Sequence, residues 1–97
     1  MKRTNSQPIG KILEAFFKDN PHMADKLAET RLMNYWNHGM GQAISRYTGS
    51  LFVKNRILYV QLKSAVLKNE LMMHREQMIE NLNREAGRPV IDNIVFC

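Results

Sequence analysis

Residues 51–63 read LFVKNRILYVQLK, and the fold is decided by this stretch. It is rich in β-branched and aromatic residues and alternates in polarity, which is typical of paired strands. The dipeptide Asn55-Arg56 at its centre predicts a two-residue turn. With that turn, Phe52 lies opposite Tyr59, and the pairing continues on both sides. The stretch therefore predicts an antiparallel β-hairpin.

The alternation makes the two faces of this hairpin unlike each other. One face is wholly apolar and is predicted to lie against the core; it consists of Leu51, Val53, Leu58, Val60 and Leu62. The other face is mixed and consists of Phe52, Lys54, Ile57, Tyr59, Gln61 and Lys63. A glycine near the start of the first strand, Gly49, predicts a β-bulge there.

Two helices are predicted before the hairpin. The first runs from Ser6, a candidate cap, to about Asp19, and its apolar residues recur at helical spacing. These apolar residues are Ile9, Ile12, Leu13, Phe16 and Phe17. The dipeptide Asn20-Pro21 stops the first helix and begins the second, because proline is accepted only in a first turn. The second helix is predicted to end at Gly39 in the left-handed conformation.

One helix and one strand are predicted after the hairpin. Ser64 is a candidate cap for a helix over residues 65–86, and Gly87 followed by proline ends it. Residues 90–96 then predict a third strand, which the helical crossover makes parallel to the second. The predicted fold class is α+β in the order α-α-β-β-α-β, with three helices packed on one face of a three-stranded mixed sheet.

Length and composition set the class of protein. Ninety-seven residues predict one domain, 1–97, of which residues 1–7 are expected to be mobile. No apolar run approaches the ~20 residues of a membrane helix, and the N-terminus lacks an apolar signal core. The single cysteine, Cys97, cannot form an internal disulfide. We therefore expect a cytoplasmic protein that does not contact the membrane.

Catalytic and metal-binding motifs are not found in the sequence. It contains no nucleophile elbow, phosphate-binding glycine loop or metalloprotease helix. The three histidines, His22, His38 and His74, do not have a metal-ligand spacing with Cys97. We therefore expect a protein that is not an enzyme and has no metal and no cofactor.

The distribution of charge indicates a polyanionic partner. The net charge is +5, and residues 41–64 contain four cations and no acid. Aromatic rings beside cations on an exposed strand pair are typical of nucleic-acid binding, since bases stack on the rings and cations contact phosphates. The predicted nucleic-acid-binding residues are Arg46, Phe52, Lys54, Arg56, Tyr59 and Lys63. The alternative is that the apolar part of this face binds another protein or a second copy, giving a homodimer.

The order of several residues, from the second helix to the final strand, is similar to that of a known protein family. They are Trp36, Gly41, the alternating strand 57–62, Ser64, the pairs Glu70-Leu71 and Leu82-Asn83, Gly87 and the final strand 94–96. In this order the chain resembles the bacterial DciA-like family, also known as domain of unknown function 721. Its members include accessory partners of the replicative DNA helicase.

The resemblance implies a fold similar to the KH domain, binding to nucleic acid, with DNA favoured over RNA, and recruitment of the replicative helicase in DNA replication. Two departures concern the site. Members commonly have glycine in the hairpin turn where this chain has Arg56. The GxxG loop with which KH domains clamp the backbone of nucleic acids is absent from this sequence.

Overall fold

The protein is described by a computed structural model that covers residues 11, 12 and 14–97. Residues 11–12 and 14–19 are helical and are called α1. The elements that follow are α2 (Pro21–His38), α3 (Gln42–Arg46), β1 (Thr48–Lys54), β2 (Ile57–Leu62), α4 (Ala65–Met72), α5 (Arg75–Ala86) and β3 (Asn93–Phe96). The predicted cap Ser6 and the segment 1–7 lie outside the described residues.

The three strands form one mixed sheet in the order β1-β2-β3. β1 and β2 are antiparallel, and β3 runs parallel to β2, as predicted. The predicted register is confirmed, with Phe52 opposite Tyr59 and Val53 opposite Leu58. The pairing is irregular between Thr48 and Leu51, which confirms the bulge expected near Gly49.

The core lies between one face of the sheet and helices α2 and α5. The predicted core face of the hairpin is confirmed, because Leu58 and Val60 are fully buried and the other three residues are half-buried. Trp36 on α2 is also fully buried, and its indole Nε1 donates a 2.9 Å hydrogen bond to the Thr48 hydroxyl. A buried indole N–H needs such a partner, so this bond fixes α2 against the start of β1.

The prediction of a single helix over residues 65–86 is wrong. The chain breaks at Met73 and His74, so that α4 and α5 are separate helices. In one continuous helix Arg75 would lie on the same face as Leu71 and Met78 and be drawn into the core. The break leaves Arg75 exposed while Leu71 and Met78 are both buried. The cap Ser64 is confirmed, since its hydroxyl accepts a 3.2 Å bond from the Leu67 N–H.

The end of the second helix also differs from the prediction. Gly39 has φ −103°, so it is not left-handed; Gly41 has φ +108° and precedes the short α3, which was not predicted. Gly39 is needed for a different reason, because a Cβ there would collide with the ring of Tyr35. Within the described residues five helices replace the three expected, whereas the α+β class and mixed sheet are confirmed. KH-like packing stays a prediction.

Candidate nucleic-acid interface

The sheet has a second face, opposite the core, that we call the open face. It consists of Phe52, Lys54, Ile57, Tyr59, Gln61, Asn93 and Val95. None of these residues is buried. The Phe52 side chain is 49% exposed, and Tyr59 is half-buried. The hairpin therefore presents both rings at the surface.

The rings of Phe52 and Tyr59 stack on each other across the two strands. Their centroids are 4.9 Å apart, and the planes are inclined by 16°. Such cross-strand aromatic pairs stabilise a hairpin and hold both rings in one orientation. Tyr59 lies on the central strand between Phe52 and Val95, whereas Phe52 lies on the edge strand β1 and is the more exposed of the two rings.

Three predicted cations lie at the two ends of this aromatic pair. Lys54 ends β1 beside the turn, and Lys63 directly follows β2 at the far end. The Lys63 N–H donates to the Tyr47 carbonyl at 2.8 Å, which brings Arg46, at the end of α3, to that same end. Strand geometry separates the two ends by about 20 Å. In the part of the chain that the structure describes, no ion pair involves these three cations.

Arg56, the fourth predicted cation, has a different environment. Its Nε lies 2.9 Å from Asp92 Oδ2, and its Nη2 lies 3.1 Å from Oδ1, so the pair is bidentate. The hydrogen bonds and the opposite charges raise the pKa of Arg56 and lower the pKa of Asp92. The Asp92 N–H also donates to the Arg56 carbonyl at 2.7 Å. The hairpin tip is thereby tied to the residue that precedes β3.

Two residues that matter for this site, Asp92 and Asn83, were not singled out as site residues from the sequence. The Asn83 side-chain oxygen accepts bonds from the N–H groups of Val90 and Ile91 at 3.0 and 3.1 Å, and its amide donates to the Ile91 carbonyl at 2.9 Å. Asn83 therefore holds the segment that delivers Asp92 to Arg56. The only signal in the sequence was the pair Leu82-Asn83 among the residues that carry the family resemblance.

Two other kinds of feature, a metal site and a membrane-spanning helix, are not found among the described residues. Among them, no three His, Cys, Asp or Glu side chains are grouped so that they would hold a metal ion. None of the described helices combines the length and the apolar character required to cross a bilayer. The open face and its flanking cations therefore form the candidate functional site.

One of three comparisons with known proteins identifies a family. A family model described as "Dna[CI] antecedent, DciA" matches residues 8–96. No curated protein and no solved structure matches the chain. The matched range contains every element of the described fold and all six predicted nucleic-acid-binding residues.

Proposed function

The chain belongs to the DciA family, which is associated with loading of the replicative helicase, and we propose that it is a non-enzymatic accessory factor that binds nucleic acid for that helicase. The observation that carries the proposal is the open face. It combines an exposed ring, Phe52, and a half-buried ring, Tyr59, with flanking cations, and none of its residues is acidic. That combination is what a polyanion with stackable bases requires.

The geometry favours single-stranded nucleic acid over a duplex. Only unpaired bases offer their faces to aromatic side chains, whereas the major groove of a duplex is read by an inserted helix or ribbon. Phe52, the more exposed ring on the edge strand β1, would stack on a base, and Tyr59 beside it would extend the aromatic surface. Lys54 at one end of the pair, with Lys63 and Arg46 at the other, would contact phosphates and direct the strand along the hairpin.

The proposal includes the KH-like arrangement that the family resemblance implies. In this chain the rings and lysines of the open face would replace the GxxG loop, which is missing. DNA is the favoured nucleic acid because the family is associated with helicase loading. Contacts to phosphates and stacked bases carry little sequence information, so binding would depend weakly on sequence.

We expect the double variant Lys54→Ala/Lys63→Ala to bind single-stranded DNA more weakly than the wild type. The slope of log affinity against log salt is negative, and each lost phosphate contact makes it shallower by about 0.7. Fluorescence anisotropy with labelled oligothymidine and a mixed-sequence oligonucleotide, over a range of salt concentrations, measures both quantities. The loss is expected to be similar for both sequences.

Lys18→Ala/Lys26→Ala is the matched control for this experiment. It also removes two positive charges, but from exposed positions in the helical layer. We expect this control to leave the salt slope close to that of the wild type. If the double variant and this control lose affinity equally, the open face is not the site.

A protein-binding role for the open face has one observation in its favour. Val95 on β3 lies beside Tyr59, so that Phe52, Tyr59, Ile57 and Val95 give the open face an apolar centre. Such a centre suits a second copy of the chain or another polypeptide. Sedimentation distinguishes the two functions. A dimer that is insensitive to salt and is dissociated by Tyr59→Asp would support this second function and contradict the first.

A further inference from the structure

Arg56 occupies a backbone position that favours glycine. Its φ is +64°, and the preceding Asn55 has φ +53°, so both turn residues are left-handed. A side chain with a Cβ is strained in this conformation, whereas asparagine tolerates it better than most residues. An arginine that persists in a strained position indicates that its side chain has a task.

The contact between Arg56 and Asp92 resembles the contact that an arginine makes with a phosphate. The two carboxylate oxygens meet Nε and Nη2 of the guanidinium, which is the planar, bidentate geometry that phosphate also uses. The pair is accessible at the surface, since the side chains of Arg56 and Asp92 are 49% and 68% exposed. The pair lies at the hairpin tip, next to the open face, since Arg56 and Asp92 directly precede the paired residues Ile57 and Asn93.

We propose that Asp92 is an internal competitor for the nucleic acid: its carboxylate occupies the guanidinium of Arg56 in the free protein, and a phosphate of the bound strand displaces it. This inference rests on the proposed function of the open face. Displacement adds one phosphate contact next to Lys54, but the Arg56–Asp92 pair has to break first. Asp92 therefore lowers the affinity and makes a bound strand easier to release.

The surrounding charges agree with this role. Asp25 on α2 is the other carboxylate whose field reaches Arg56, and its effect is smaller than that of Asp92. Asp25 itself is paired with Arg88, with 3.3 Å between Oδ1 and Nε. Asp92 is therefore the carboxylate that decides whether the guanidinium is available.

The variant Asp92→Asn tests the inference. Asparagine keeps the backbone bond to the Arg56 carbonyl but removes the competing charge. The variant no longer has to break the Arg56–Asp92 pair, so we expect it to bind oligothymidine about two- to fivefold tighter at 0.1 M salt. The salt slope is expected to stay close to that of the wild type, because the same phosphate contact forms in both proteins. The control Glu80→Gln also removes one negative charge, at an exposed position on α5, and is expected to increase the affinity less than Asp92→Asn. A circular-dichroism melt of each variant checks that it is folded.

A double-mutant cycle shows whether the effect passes through Arg56. The gain from Asp92→Asn is expected to disappear when Arg56 is replaced by alanine. The inference is overturned if Asp92→Asn binds no more tightly than Glu80→Gln, or if the gain persists in the Arg56→Ala background. If the wild type binds and Lys54→Ala/Lys63→Ala weakens binding, such a result contradicts only the role of Asp92. If the wild type does not bind oligothymidine, the proposed function itself fails.

Discussion

At the scale of single residues, the Asn83 side chain makes more hydrogen bonds to the backbone than any other side chain among the described residues. Its amide oxygen and nitrogen make three hydrogen bonds to Val90 and Ile91, which are 3% and 1% exposed. Without Asn83, the N–H groups of these two buried residues would have no partner in the protein. A buried donor without a partner costs more than the hydrogen bond itself contributes.

We therefore expect Asn83→Ala to lower the free energy of unfolding by about 2 kcal/mol. Urea denaturation followed by circular dichroism measures this change. Asn69→Ala on the exposed side of α4 is the matched control and is expected to stay within about 0.5 kcal/mol of the wild type. Equal stabilities of the two variants would show that Asn83 does not hold the segment before β3.

At the scale of secondary-structure elements, the prediction of the hairpin is confirmed, whereas the prediction of the third helix is wrong. The hairpin matches its prediction in turn and register because both depend on neighbouring residues. The predicted helix over 65–86 is divided into α4 and α5 at Met73 and His74, and Arg75 is exposed. Periodicity shows which residues favour a helix, but it does not predict this break.

The turn allows a test at this scale through Asn55. Valine at φ +53° is strained because its branched Cβ meets the backbone, so Asn55→Val is expected to destabilise the protein by about 1–2 kcal/mol. Asn55→Gly, which accepts this conformation, is expected to remain within about 0.5 kcal/mol of the wild type. Urea denaturation compares the two variants. A Val variant as stable as the Gly variant would contradict the left-handed turn.

At the scale of the whole molecule, the shape is elongated. The principal extents are 47 × 31 × 21 Å, and the radius of gyration is 15.5 Å, compared with about 13 Å for a compact domain of this length. Two apolar residues of the helix α1, Ile12 and Phe16, are 67% and 45% exposed. The apolar spacing predicted a helix here, but its described apolar residues are only partly covered by the rest of the chain.

A test at this scale concerns the helicase. The proposed function predicts that the tagged chain, purified from its native cell, retains the replicative helicase after nuclease treatment, because the family interacts with that helicase. Immunoblotting of the eluate with and without nuclease measures this retention. Loss of the helicase upon nuclease treatment would mean that nucleic acid alone connects the two proteins.

Local patterns were sufficient to predict the α+β class, the hairpin, its register and its two faces. Alternation in strands and the conformational preferences of turn residues are properties of adjacent residues, so a single sequence reveals them. The rings of Phe52 and Tyr59 and the cations around them were placed in this way, and their role in binding remains a prediction.

Those local patterns do not predict contacts between segments that are distant in the sequence. Arg56 and Asp92 are 36 residues apart, and they meet only because β3 is parallel to β2 and Asn83 holds the segment before it. The break between α4 and α5 and the exposure of α1 likewise depend on how helices pack against one sheet. Packing of this kind is a balance among all parts of the chain, because a side chain is buried only if another element covers it.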